Sequence, residues 1–175
     1  IETDVPAVVW KGTHASGAVN LSGDSSFGTA LFGGETSTLT TYKQLGGSFR
    51  SGSGCTLGTL TIIDGTAEFN SAIGTSLTQL GGSTIINGSG AVAQITLRGG
   101  TCVYNTSGTL GGATVISGDG ILDFAQDPRA KTVSAAIDIY GDTADVNDPY
   151  KVIGTLIADY DETSRFERLG RNVRI

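Results

Sequence analysis

Apolar and polar residues alternate with period two through the middle of the chain, and glycines interrupt the alternation at nearly equal intervals. One phrase recurs five times: a large aliphatic residue, any residue, a glycine, then a short run alternating into a second apolar side chain. The copies are Leu45-Gly-Gly47-Ser-Phe49, Ile63-Asp-Gly65-Thr-Ala-Glu-Phe69, Leu80-Gly-Gly82-Ser-Thr-Ile85, Leu97-Arg-Gly99-Gly-Thr-Cys-Val103 and Ile116-Ser-Gly118-Asp-Gly-Ile121. Their glycines, Gly47, Gly65, Gly82, Gly99 and Gly118, stand 18, 17, 17 and 19 residues apart, and a second glycine follows in four copies, at Gly54, Gly74, Gly90 and Gly108.

Short strands that alternate inward and outward side chains, with a sharp bend at fixed intervals, are what stacked coils require. Bends often need φ > 0, which costs a β-branched residue heavily and glycine almost nothing. The pattern therefore predicts an all-β chain: a parallel β-helix, or β-solenoid, of about five coils over residues 39–128, with corners at the five named glycines. Coils stacked about 4.8 Å apart would make a body on the order of 24 Å long. An antiparallel sandwich also shows short strands and turns, but does not account for one phrase returning every 17 to 19 residues.

The flanks read differently. Residues 1–38 hold Trp10, Phe27 and Phe32 in a polar background without the phrase, which predicts an extended N-terminal arm or cap. Residues 129–175 carry 15 charged residues against seven in residues 44–128, so a boundary is expected at Asp127-Pro128. Val133 to Tyr140 and Val152 to Tyr160 read as strands of a C-terminal assembly segment, separated by an acidic turn containing Asp142, Asp145 and Asp148. Arg165, Arg168, Arg171 and Arg174 make its end basic. Acidic and basic stretches in one segment can pair within the chain or bridge two copies. Trp10, Asp145, Asp148 and these four arginines are thus the candidate assembly contacts.

Composition narrows the partners. With 27 Gly, no Met and a net charge of −6, the chain suits strands better than helices, and its field repels phosphate backbones and anionic lipid. Nucleic acid and membrane are not expected partners. The chain opens on Ile1 without an initiator Met, so processing or truncation of a longer precursor is expected.

Candidate chemistry is sparse. His14 is the sole histidine, far from any nucleophile elbow. Cys55 and Cys102 lie more than two coils apart, beyond the reach of a disulfide, and read as small core residues. Asp64 with Glu68 and Asp119 with Asp123 are the carboxylates a polysaccharide-cleaving β-helix would use, although no aromatic platform accompanies them. Gly118-Asp-Gly120 is a lone copy of a calcium-type turn, where such sites need successive repeats. Neither metal nor cofactor is expected.

The coils from Leu45 to Phe124, the closing segment Ile121-Leu-Asp-Phe-Ala-Gln-Asp-Pro128 and the strand-rich tail ending Leu169-Gly-Arg-Asn-Val-Arg174 together resemble the trimeric β-helical cement or decoration proteins of tailed bacteriophages. The resemblance is architectural. It implies a non-enzymatic virion protein on the capsid exterior, a homotrimer whose terminal segments contact the major capsid protein and neighbouring copies. The competing expectation is a β-helical tail fibre, spike or surface adhesin that binds glycans outside the cell.

Overall fold

The computed structural model describes residues 38–154 together with the strands Ala7–Trp10, Ala18–Leu21, Thr29–Phe32 and Ile157–Tyr160. Among the described residues sixteen strands follow one another: β1 Ala7–Trp10, β2 Ala18–Leu21, β3 Thr29–Phe32, β4 Thr38–Gln44, β5 Ser48–Ser51, β6 Thr56–Ile62, β7 Thr66–Phe69 and β8 Ile73–Gln79, then β9 Ser83–Ile86, β10 Ile95–Leu97, β11 Thr101–Tyr104, β12 Thr114–Ser117, β13 Ile121–Asp123, β14 Ile137–Tyr140, β15 Asp145–Asn147 and β16 Ile157–Tyr160. Odd-numbered strands form one eight-stranded sheet and even-numbered strands the other, each in sequence order. Every pairing is parallel. This is the parallel β-solenoid that the phrase predicts, with each turn of chain giving one strand to each sheet.

The ladders run past both compositional boundaries. Strands β1 and β3 extend the odd sheet beyond the first phrase, β2 extends the even sheet, and β14, β15 and β16 continue both sheets beyond Pro128. The strands of the expected arm and tail thus pair as further rungs of the solenoid. What changes toward the ends is coil length. In the odd sheet Ala7, Thr29, Ser48, Thr66, Ser83, Thr101, Ile121 and Asp145 are register partners, and their spacings are 22, 19, 18, 17, 18, 20 and 24 residues. A motif defined on the short central coils does not match the longer outer ones. Asp145, placed by sequence in an acidic turn, begins strand β15 instead.

Inward side chains stack in columns. In the even sheet Tyr42, Leu60, Leu77, Ile95, Thr114, Ile137 and Ile157 succeed one another in register, all buried. A narrower ladder of isolated bridges joins Ile73, Val92, Leu110 and Val133 and closes the cross-section. Aromatic rings pack in the interior, Tyr42 of the even sheet on Phe49 of the odd at 4.3 Å between centroids, and Tyr104 on Phe124 of the next coil at 5.4 Å. Such stacking removes each inward side chain from water on both its coil neighbours, the main stabilising contribution here. Cys55 and Cys102 are buried and not disulfide-bonded.

Two inward positions hold glutamine where the column is otherwise aliphatic: Gln44, Ile62, Gln79, Leu97, Ile116 and Ile139 are consecutive partners. Gln44 Nε2 donates to the carbonyls of Gly47 and Thr66, at 3.0 Å each. Gln79 Nε2 repeats this one pair of coils later, donating to Gly82 at 3.1 Å and Thr101 at 3.2 Å. Each amide clips a corner to the coil above it. Gln79→Leu should leave those carbonyls short of a donor and cost about 2 kcal/mol, read as a lower urea midpoint at unchanged slope. A midpoint matching the parent would refute the clip.

Corner geometry corrects one of the sequence assignments. Gly47, Gly65 and Gly82 adopt φ of 72°, 88° and 71°, but in the fourth phrase the left-handed residue is Gly100 (72°), not Gly99. Register explains the shift: Ser48, Thr66, Ser83 and Thr101 are partners, which aligns Gly100 with the other three. Gly118 is also left-handed, at 60°, but it sits in a local turn closed by Gly120 N donating to Ser117 O at 3.1 Å.

Candidate functional site

Outward positions define what another molecule would meet. On the even sheet, Lys43, Thr61, Thr78, Thr96, Val115 and Asp138 form one column, with Thr41, Thr59 and Ser76 beside it. This face is mainly short hydroxyl side chains. On the odd sheet the column runs Arg50, Glu68, Ile85, Val103, Asp123, Asn147.

A third outward column lies at the corner between the sheets. Residues immediately after the Gln44–Ile62–Gln79–Leu97 column are Leu45, Ile63, Leu80 and Arg98, linked coil to coil by backbone bonds of 2.8 Å from Ile63 N to Gln44 O, Leu80 N to Ile62 O and Arg98 N to Gln79 O. Leu45 is 41% exposed and Leu80 42%, with Ile63 between them half-buried. Three successive coils therefore present an aliphatic ridge that ends at the exposed Arg98 guanidinium. The phrase's first residue thus has two fates: Leu45, Ile63 and Leu80 face outward, whereas Leu97 and Ile116 are buried, because the fourth and fifth copies begin one position earlier on the coil, in register with Gln79.

Three of the four carboxylates singled out by sequence are tied into local structure, and the fourth, Asp119, is exposed at the turn after Gly118. Asp64 Oδ1 accepts from Gly65 N at 2.7 Å. Glu68 pairs with Arg50 at 3.2 Å and accepts from Asn87 Nδ2 at 3.2 Å. Asp123 Oδ1 accepts from Ala125 N at 2.8 Å and Asn147 Nδ2 at 2.9 Å. Glu68 and Asp123 share a column, but Ile85 and Val103 stand between them. Three coil steps amount to about 14 Å, beyond the roughly 5 to 9.5 Å that glycosidic carboxylate pairs need. Among the described residues no three His, Cys, Asp or Glu side chains cluster as a metal site, and no helix is long and apolar enough to cross a membrane.

Of the proposed assembly contacts, Trp10 ends strand β1. Asp145 is exposed and accepts from Val146 N at 2.9 Å. Asp148 Oδ1 accepts from Val152 N at 2.8 Å and Oδ2 from Ile153 N at 3.3 Å, shaping its own loop. Arg165, Arg168, Arg171 and Arg174 lie outside the described residues, as does His14.

Two polar features escaped the sequence reading. At the corner after the odd strands, Asn105 Nδ2 donates to Asn87 Oδ1 at 3.3 Å, continuing the bond from Asn87 to Glu68, while Asn70 Nδ2 caps Ser51 O at 2.8 Å. Asn70, Asn87 and Asn105 follow the strand ends Phe69, Ile86 and Tyr104 at coil spacing, and that recurrence was the available signal. The second feature centres on Asp127. Arg129 grips its carboxylate in a bidentate pair, Nε to Oδ1 and Nη2 to Oδ2 at 2.8 Å each, and the buried Lys131 ammonium contacts Oδ2 and donates to Thr106 O at 3.0 Å. Those bonds, Arg129's foremost and Lys131's next, hold Asp127 well below the usual carboxylate range against the opposing effect of burial.

No family model, curated protein or solved structure matches this chain.

Proposed function

We propose that the chain is a non-enzymatic virion structural protein: a capsid cement protein that forms a homotrimer on the exterior of a tailed-phage head and bridges major capsid subunits. The observation that carries the reading is the ridge of Leu45, Ile63 and Leu80 running along the stacking direction at one corner of the solenoid. A contiguous apolar strip with a polar surround marks an interaction surface rather than ordinary solvent-facing wall. The rest of the outer surface supports the same role. Asp64, Glu68 and Asp123 serve corners and ladders, and the outward face of the even sheet is mainly short hydroxyl side chains suited to a rigid spacer. Closed rotational symmetry would bring identical ridges together around one axis.

Native mass spectrometry at micromolar concentration tests this. The parent is expected as a trimer and Leu45→Ser/Leu80→Ser as a monomer, since both changes fall on exposed positions. Capsids carrying the parent should melt at a higher temperature than capsids stripped of it. A strict monomer together with unchanged capsid melting would overturn the proposal.

One observation favours a second reading, a glycan-binding fibre or adhesin. Tyr140 and Tyr150, 45% and 59% exposed, lie in the C-terminal coils, where aromatic rings could stack on sugars. A glycan array that lights up with the parent and goes dark with Tyr140→Ala/Tyr150→Ala would favour that function; an array blank with the parent removes it.

A further inference from the structure

Asn87-Gly88 is the single Asn-Gly step in the sequence, the dipeptide whose side-chain amide is most open to attack by the following backbone nitrogen because glycine has no Cβ to hinder it. It falls at a corner: Gly88 is exposed and left-handed with φ 84°, and Asn87 is half-buried. The side chain of Asn87 is held at both ends. Its Nδ2 donates to Glu68 Oε1 in the preceding coil at 3.2 Å, and its Oδ1 accepts from Asn105 Nδ2 in the following coil at 3.3 Å. Both bonds pull the amide along the stacking direction, toward neighbouring coils and away from its own backbone.

We propose that Asn87 is a deamidation site whose rate is set by this two-sided amide clamp. When the clamp opens, the Gly88 nitrogen bonds to Asn87 Cγ, the Cγ–Nδ2 bond breaks, and ammonia leaves carrying the proton lost by Gly88. Water then opens the succinimide at either carbonyl, giving aspartate or isoaspartate. Either product places a carboxylate beside Glu68, where the asparagine amide had donated, and like charges facing each other across a ladder destabilise it. Isoaspartate also adds a backbone atom at a corner where a Cβ placed on Gly88 would already lie 3.0 Å from Asn70 O. Reaction at this position therefore loosens the stack from Glu68 to Asn105. Asn70, which precedes Ser71 and caps Ser51 O, is an internal reference in the same protein.

The experiment incubates the full chain at mildly alkaline pH and follows peptides that separate asparagine, aspartate and isoaspartate, alongside circular dichroism to confirm that each variant remains folded. Folded parent should convert at Asn87 at least tenfold more slowly than the same chain in urea. Asn105→Ala and Glu68→Ala, each removing one side of the clamp, should speed conversion several-fold while Asn70 is unaffected. Glu68→Gln, which keeps an acceptor oxygen, should stay near the parent rate. Equal rates for folded parent, folded Asn105→Ala and unfolded chain would overturn the proposal, as would faster conversion at Asn70 than at Asn87 in the clamp variants. Should a clamp variant not fold, the comparison of folded with unfolded parent and of Glu68→Gln with parent still decides the outcome.

Discussion

Asp127→Ala should cost about 3 kcal/mol of stability, because it strands the Lys131 ammonium without its carboxylate. The Lys131 side chain is fully buried, and with Asp127 gone its remaining named partner is the Thr106 carbonyl. Thr106 in turn donates through Oγ1 to Gly90 O at 3.0 Å, so the loss reaches a corner two coils away. Replacing both members, Asp127→Ala with Lys131→Met, should recover much of the deficit, since exchanging a buried ion pair for apolar packing is often close to neutral. Arg129→Ala should matter far less, because its side chain is 70% exposed and an exposed ion pair is screened by solvent. The sign of the pH effect follows from the depressed Asp127 pKa. Its contribution is complete above the ordinary aspartate value of roughly 3.9 and is lost as pH falls from there through the lower folded value. Between neutrality and about pH 5 the group adds no slope, and Asp127→Asn should flatten the acid side of the stability curve. Urea melts of the single and double variants from neutrality down to about pH 3 provide the check. An Asp127→Ala variant as stable as the parent would show that the pair does not hold the solenoid.

Gly65→Ala is the other large effect, at about 2–5 kcal/mol from two separable causes: about 1–2 for a left-handed residue gaining a Cβ and about 1–3 for forcing packed groups apart. At Gly65 φ is 88°, and an added Cβ would lie 2.2 Å from Gly47 O and 2.8 Å from Gln44 Nε2, the clip beneath it. Two other positions isolate the causes. Gly141 has φ 91° with nothing within 4 Å, so alanine there should cost the conformational part alone. Gly58 has no left-handed angle, but its Cβ would lie 2.3 Å from Thr40 O, so alanine there should cost the steric part alone. Gly154, with neither constraint, should tolerate alanine within about 0.5 kcal/mol. Thermal melts of the four variants should therefore rank Gly65→Ala lowest and Gly154→Ala highest. Equal losses at Gly65 and Gly154 would mean that coil stacking does not depend on the close approach.

The solenoid was legible because its two periods are written in residues that physics constrains: alternation decides which side chain is buried, and corner glycines mark the coil. Where the constraint moved by one residue, the reading moved with it. Leu97-Arg-Gly99-Gly100 offers two glycines, and the left-handed one is decided by register with Gly82 and by the Gln79 amide below it, neither of which is local. Strands β1 to β3 and β15 were hidden, and β14 and β16, legible as strands within Val133 to Tyr140 and Val152 to Tyr160, did not show as rungs of the solenoid, because their coils are longer and their corners differ while composition drew attention to charge instead. The pentapeptide Gln-Leu-Gly-Gly-Ser, at Gln44 and again at Gln79, carried the corner clip in plain view, but an inward glutamine breaks the apolar pattern and so reads as an outward residue. The Asp127 cluster was passed over for a similar reason: Asp127-Pro128 reads locally as a boundary, and only the fold brings Thr106 to Lys131.

The central claim is one uninterrupted stack of parallel coils that continues through Pro128, and spin-label distances along one outward column test it directly. Lys43, Thr61, Val115 and Asp138 lie in register on the even sheet. The native cysteines do not compete for label, since both are buried and the Cys102 thiol is pushed up to about 12 by burial, with the Asp123 charge adding to the effect. With coils about 4.8 Å apart, backbone separations should be about 19 Å for Lys43 with Val115, the same for Thr61 with Asp138, and about 24 Å for Lys43 with Asp138. Equal first and second distances with the third one coil step longer are the predicted result. Distances that do not scale with coil number, or an Asp138 label that falls off the line set by the other pairs, would contradict it.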